Sequence, residues 1–114
     1  MLALHETDLQ AGCREIRVLG ELDLAVAPEL EEAIERAAEY DQVVISLEEC
    51  EFLDSSGIAV IVRAHQERES GGRRLAVCAP DGQVQRVLDL TGLSENGLVF
   101  ENAAAALAEA GEGL

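Results

Sequence analysis

The sequence predicts one small α/β domain, a mixed and mostly parallel β-sheet packed with about four helices. Three observations carry this. The chain has 114 residues, room for one domain and too few for two. Hydrophobic residues make up 48% of it, enough to build a core without disulfides or metals. Short apolar runs and period-two segments also alternate with segments of helical period. Aromatic residues are only 3%, so the core must be aliphatic. The expected domain spans residues 1–114, with no repeat and no linker.

Leu2 to Leu9 forms a possible first strand. Arg14 to Leu24 alternates, with Ile16, Val18, Gly20, Leu22 and Leu24 on one face and Arg17, Glu21 and Asp23 mostly on the other, the period of a half-buried strand. Gly12 between them suggests a hairpin. Pro28 then opens a helix, where its missing N–H costs nothing. Leu30, Ala33, Ile34, Ala37 and Ala38 form its apolar stripe, and Glu29, Glu31 and Glu32 suit its positive end.

Val43-Val44-Ile45, followed by Leu47, reads as a strand buried on both faces, hence part of a parallel sheet. Glu48-Glu49-Cys50-Glu51 reads as a solvated acidic loop. The run from Ile58 to Val62 is rich in β-branched residues and looks like a strand by propensity. Ile58, Ile61, Val62 and His65 nevertheless share a helical face that continues into polar Gln66, Glu67 and Arg68. A parallel sheet also needs a crossover at this point. The segment is therefore assigned to a helix, ended by Gly71-Gly72. Leu75 to Ala79 is the next strand. Asp81 can cap a short helix carrying Val84, Val87 and Leu88, stopped near Gly92. Leu98 to Phe100 is the last strand. Asn102 can cap an Ala-rich terminal helix with Ala103, Ala106, Leu107 and Ala110 on one face, before a frayed tail from Gly111 to Leu114.

Composition excludes several functions. The net charge of −15 argues against nucleic acid, since phosphate binding needs clustered Lys and Arg. An acidic surface suits a partner with a basic patch, or serves solubility alone. Cys13, Cys50 and Cys78 form no CxxC pair and sit beside apolar residues, so they read as small core residues in a reducing compartment. His5, Glu6 and Asp8 interrupt any N-terminal signal sequence. No apolar run approaches the ~20 residues that cross a bilayer. The expected location is the cytoplasm, without membrane insertion.

Catalytic chemistry finds little support. Ser55 and His65 lie ten residues apart on one helix, ~15 Å of rise, too far for a nucleophile and its base. The G-x-S-x-G elbow is absent. The two histidines and dispersed carboxylates form no metal set, and Gly71-Gly72 lacks the pattern of a phosphate loop. No catalytic residue, metal or cofactor is expected. The informative segment is Asp54-Ser55-Ser56-Gly57, which opens a helix after a buried strand. One reading is a plain N-cap. The other is that a serine also accepts a phosphate. Free N–H groups and the helix dipole would tolerate the anion, while a charge of roughly −1.5 to −2 would change the surface a partner meets.

Three segments resemble STAS domains of the bacterial anti-sigma factor antagonist branch. Gly20-Glu21-Leu22-Asp23, running to Pro28-Glu29-Leu30, is similar to the first signature. Phe52-Leu53-Asp54-Ser55-Ser56-Gly57 resembles the phosphorylation motif. Val84 to Leu93 resembles the helix and turn near the end. The three occur in order, at matching intervals, over nearly the whole chain. The resemblance implies a STAS-type fold and a partner-switching cycle. The unphosphorylated antagonist binds an anti-sigma factor that is also a serine kinase, and the sigma factor is released. Phosphorylation then releases the antagonist, and a PP2C-type phosphatase restores it. The acceptor maps onto Ser55. Asp23, Asp54, Ser56 and Gly57 map onto partner-binding positions, Gly57 as a residue that lets the partner approach the helix start. The domain is then a substrate and not an enzyme. It is expected to be a monomer, as no surplus apolar stripe is evident. The competing readings are a non-switching STAS subunit of a lipid or anion transport complex or signalling scaffold, and a hydrolase using Ser55.

Overall fold

The computed structural model describes residues 3–10, 12–79, 82–90, 99–100 and 105–106. Strands β1 (Leu4–Gln10) and β2 (Cys13–Val18) form the hairpin, turning at Gly12 with φ +79°. Helix α1 (Ala27–Arg36), β4 (Gln42–Ser46), α2 (Ser55–Ser70), β6 (Arg74–Cys78), α3 (Gln83–Leu90) and β7 (Val99–Phe100) follow in the expected order. Two further strands, β3 (Gly20–Leu22) and β5 (Cys50–Leu53), lie between them. The main sheet has the order β1-β2-β4-β6-β7. Only the β1–β2 pair is antiparallel.

The main core lies on one face of this sheet. Ile16 and Val18 of β2, Val43 and Ile45 of β4, and Leu75 and Val77 of β6 pack there under α1 and α2, with Val84 and Leu88 of α3 joining them. The other face is smaller. Cys13, Val44, Ala76 and Cys78 pack there against Ala106. Residues 105 and 106 are helical, and Ala106 is the one residue of the expected terminal helix whose packing is described. Every residue of β4 is buried, as its continuous apolar run requires with both faces covered.

Several expectations need correction. Arg14 to Leu24 is not one strand. At Gly20, φ is +80°, a value that favours glycine, and the chain there leaves the main sheet to pair β3 in parallel with β5. Leu24 consequently lies beyond the strand and is 74% exposed. Cys50 and Glu51 belong to β5 and not to an acidic loop. Their strand alternates badly because Cys50 and Leu53 are buried while Glu51 and Phe52 face out. Finally, Ala38 is exposed, because the chain leaves α1 at Ala37.

Helix α2 forms despite its β-branched residues because its buried stripe is Gly57, Val60, Ile61, Ala64 and Arg68. Packing of that stripe outweighs weak propensity. The stripe is rotated from the expected one, and Ile58, Val62 and His65 flank it half-buried. Arg68, expected on the polar face, is buried and donates to the carbonyls of Ala37, Tyr40 and Arg74. Three helices stand among the described residues. Asp81, Gly92, Leu98, Asn102 and the tail from Gly111 to Leu114 lie outside them.

Candidate functional site

The site is built by two strands that end side by side. Leu22 of β3 and Leu53 of β5 are register partners. Each is followed by an aspartate that turns the chain toward a helix. After β3, Asp23 Oδ1 accepts from the N–H of Ala25 at 3.0 Å and of Val26 at 3.2 Å. After β5, Asp54 is the N-cap of α2, and its Oδ1 accepts from the N–H of Ser56 at 2.8 Å and of Gly57 at 3.4 Å. The N–H of Asp54 donates to the carbonyl of Leu22 at 3.2 Å, so the two turns are joined directly. An aspartate suits both places because its short carboxylate reaches the donors left free where a helix or turn begins.

Ser55 is the first residue of α2 and is exposed, while Ser56 beside it is half-buried. The hydroxyl of Ser55 therefore stands at the positive end of a helix, next to the capping carboxylate of Asp54 and near the turn held by Asp23. Gly57 has a packing role that the sequence alone does not reveal. It is buried, and a Cβ there would lie 2.5 Å from Leu22 Cγ and 3.0 Å from Leu53 Cδ1. The glycine lets α2 sit directly on β3 and β5. It thus fixes the height of Ser55 above those strand ends.

The structure brings Asp23, Asp54, Ser55 and Ser56 to one surface and puts Gly57 beneath it. His65 lies further along α2, where its Nε2 is 3.3 Å from Glu69. No group of three or more His, Cys, Asp or Glu is placed to hold a metal among the described residues. The cysteines are free and buried. Burial pushes the Cys78 thiol up to about 12, and raises those of Cys13 and Cys50 as well. All three therefore stay protonated and unreactive at neutral pH. No helix of the described residues is long and apolar enough to cross a membrane.

Sequence reasoning missed the pairing of β3 with β5 and hence the twin origin of the two aspartates. A signal was present: Glu21-Leu22-Asp23 and Phe52-Leu53-Asp54 both end in Leu-Asp. It also missed exposed Leu24 and Phe52, which stand on these same two segments.

Comparison with known proteins agrees with this architecture. The model of the STAS domain matches residues 6–106. An anti-sigma F factor antagonist of Paenibacillus polymyxa is 33% identical over 108 residues, covering 91% of this chain and 92% of that protein. The crystal structure of an anti-sigma factor antagonist from Mycobacterium paratuberculosis superposes with a TM-score of 0.82 at 29% identity, over 93% of this chain and 91% of that one. The unphosphorylated form of the anti-sigma factor antagonist SpoIIAA shares the fold, with a TM-score of 0.81 at 21% identity over 98% of each chain. With its sequence matched almost end to end and its sheet order and helix positions in place, the chain belongs to the STAS domain family, the family of the anti-sigma factor antagonists.

Proposed function

We propose that this chain is an anti-sigma factor antagonist switched by phosphorylation of Ser55. In its unphosphorylated form it binds an anti-sigma factor and so frees a sigma factor. The anti-sigma factor is also a serine kinase. The Ser55 hydroxyl attacks the γ-phosphorus of ATP; its proton passes to a base of the kinase, an Oγ–P bond forms, the bond to the β-phosphate oxygen breaks, and ADP leaves. The phosphorylated chain then dissociates. A PP2C-type phosphatase hydrolyses the phosphoester and returns the chain to its binding form. The chain supplies the acceptor and no catalytic group, and the cycle runs in the cytoplasm.

The observation that carries this reading is the position of Ser55. It is exposed, it is first in α2, and its helix start is hydrogen-bonded to the end of β3, where Asp23 sits. A phosphate there would need no refolding, because a helix N-terminus tolerates an anion. It would change the docking surface sharply, adding roughly −1.5 to −2 charge beside two carboxylates. Asp23, Asp54 and Ser56 form the surrounding contact surface. Gly57 acts by seating α2.

The test uses three immobilised baits: wild type, Ser55→Asp and Ser55→Ala. Each is exposed to lysate of the native organism with ADP, and captured proteins are identified by mass spectrometry. Wild type and Ser55→Ala are expected to retain an ATP-binding anti-sigma factor, and Ser55→Asp to lose it. Equal capture by all three would reduce Ser55 to a helix residue and remove the switch.

A further inference from the structure

The turns at Asp23 and Asp54 lead into α1 and α2, and the two helices pack on each other with a groove left between them. The groove measures about 500 Å³ and begins beside Ser56. Leu24, Ala27, Ala59 and Val60 give it an apolar floor and mouth. A smaller pocket continues it along the same two helices as far as Ile34 and Glu67. From Ser56 to Glu67 the groove follows α2 for about 16 Å, or three helical turns.

Its charge is one-sided. Glu31, Glu32 and Glu35 of α1 and Glu67 of α2 line it, against Arg63. That arginine is already tied to Glu31 at 3.1 Å. Leu24, at 74% exposure, stands at the end nearest the serines. Beside Ala27, Ala59 and Val60 it gives an otherwise acidic groove one apolar end.

We infer that the α1–α2 groove is a second docking surface for the anti-sigma factor, and that it takes an amphipathic helix carrying Lys or Arg on its flanks. Length, apolar floor and acidic walls together fit a helix laid into a groove. The basic flanks meet Glu32 and Glu35, which sets register and speeds association. The apolar tip of the helix meets Leu24 and Ser56. That tip explains how one phosphate can release a basic partner: Ser55 precedes Ser56, which lines the apolar end of the groove, and a docked apolar tip would strip water from the added anion.

This inference rests on the antagonist reading, and the experiment separates the two. The probe is the purified anti-sigma factor that the wild-type chain retains, titrated calorimetrically in ADP at low and high salt. The variants are Glu32→Arg with Glu35→Arg, Leu24→Ala, and Glu39→Arg as an exposed acid beyond the groove, each checked by circular dichroism. The double reversal and Leu24→Ala are expected to weaken binding about tenfold or more, roughly 1.4 kcal/mol per decade. The double reversal should also flatten the salt dependence, while Glu39→Arg binds as wild type does. If Ser55→Asp abolishes binding and the groove variants bind normally, the groove is not the docking surface and the switch stands. If no anti-sigma factor binds wild type, both readings fall. A shift in the sedimentation of the free chain on reversing Glu32 and Glu35 would make the groove a contact between copies, and also overturns the inference.

Discussion

Asp54 and Gly57 stand three residues apart and shape the site from opposite sides. Asp54 holds the first free N–H groups of α2. Gly57 lets that helix end rest on Leu22 and Leu53. The first role is written in the sequence, because an acidic residue before a helical segment is a cap signal. The second is not, because it depends on β3 lying under α2, which no local pattern reports. A methyl group at Gly57 has no room unless fully buried Leu22 moves. Gly57→Ala gains some helix propensity but overpacks the contact, so a net loss of about 1–2 kcal/mol is expected in urea unfolding. Adding Leu22→Ala should relieve the clash, giving a favourable coupling of about 1 kcal/mol in a double-mutant cycle. Additive costs would show that the two residues do not compete for space.

Most elements are legible because each has a strong local period: the hairpin, α1, β4, α2, β6 and α3 all stand near their expected places. Strands β3 and β5 are not, because they are short and their pairing shifts register between Gly20 and Glu21. Only contact between residues thirty positions apart defines them. The same holds for the clasp that fastens the hairpin to α1. Arg14 of β2 reaches Asp8 of β1 at 2.9 Å and the Tyr40 hydroxyl at 2.7 Å, and Arg36 of α1 reaches Glu6 at 2.7 Å. The hydrogen bond from Arg36 holds the Glu6 carboxyl below the usual carboxylate range, with a smaller opposing effect of burial. Hydrogen bonds from Arg14 and Tyr40 do the same for Asp8. The unfolded chain then takes up these protons at a higher pH than the folded one. The clasp's contribution is full above about pH 4–5 and is lost as pH falls through the lowered folded values. Burial raises the Glu15 carboxyl, which acts in the opposite sense as pH rises, so the total profile mixes both. The difference between wild type and Glu6→Gln isolates the clasp. That difference in melting temperature should shrink steadily as pH is lowered below about 4. A difference independent of pH would mean that Glu6 acts through packing alone.

At the scale of the whole molecule, a chain of net charge −15 keeps one of its eight basic residues in the interior. Arg68 is only 6% exposed. Its guanidinium is forked between the carbonyl of Arg74 at the start of β6 and those of Ala37 and Tyr40 just past α1. It thereby ties α2, α1 and the sheet at the end of the molecule opposite the start of α2. The carbonyls past α1 belong to the negative end of that helix, where a cation is favoured. Burial disfavours the charge and lowers the Arg68 pKa, with Arg73 adding repulsion and Asp41 partly offsetting it. The guanidinium still carries its charge, since arginine is too basic to give up its proton in proteins. Buried charges are often replaced by hydrocarbon without loss when both partners of a pair are removed. Here the partners are backbone carbonyls and cannot be removed. Arg68→Met should fill most of the space and strand those acceptors, costing about 2–4 kcal/mol. Arg68→Lys, a point charge without the fork, should recover part of that loss. The urea midpoint should fall in the order wild type, Lys, Met at constant slope, since the unfolded surface is unchanged. A Met variant as stable as wild type would show that water or local rearrangement serves these carbonyls as well, and that helix packing alone joins the three elements.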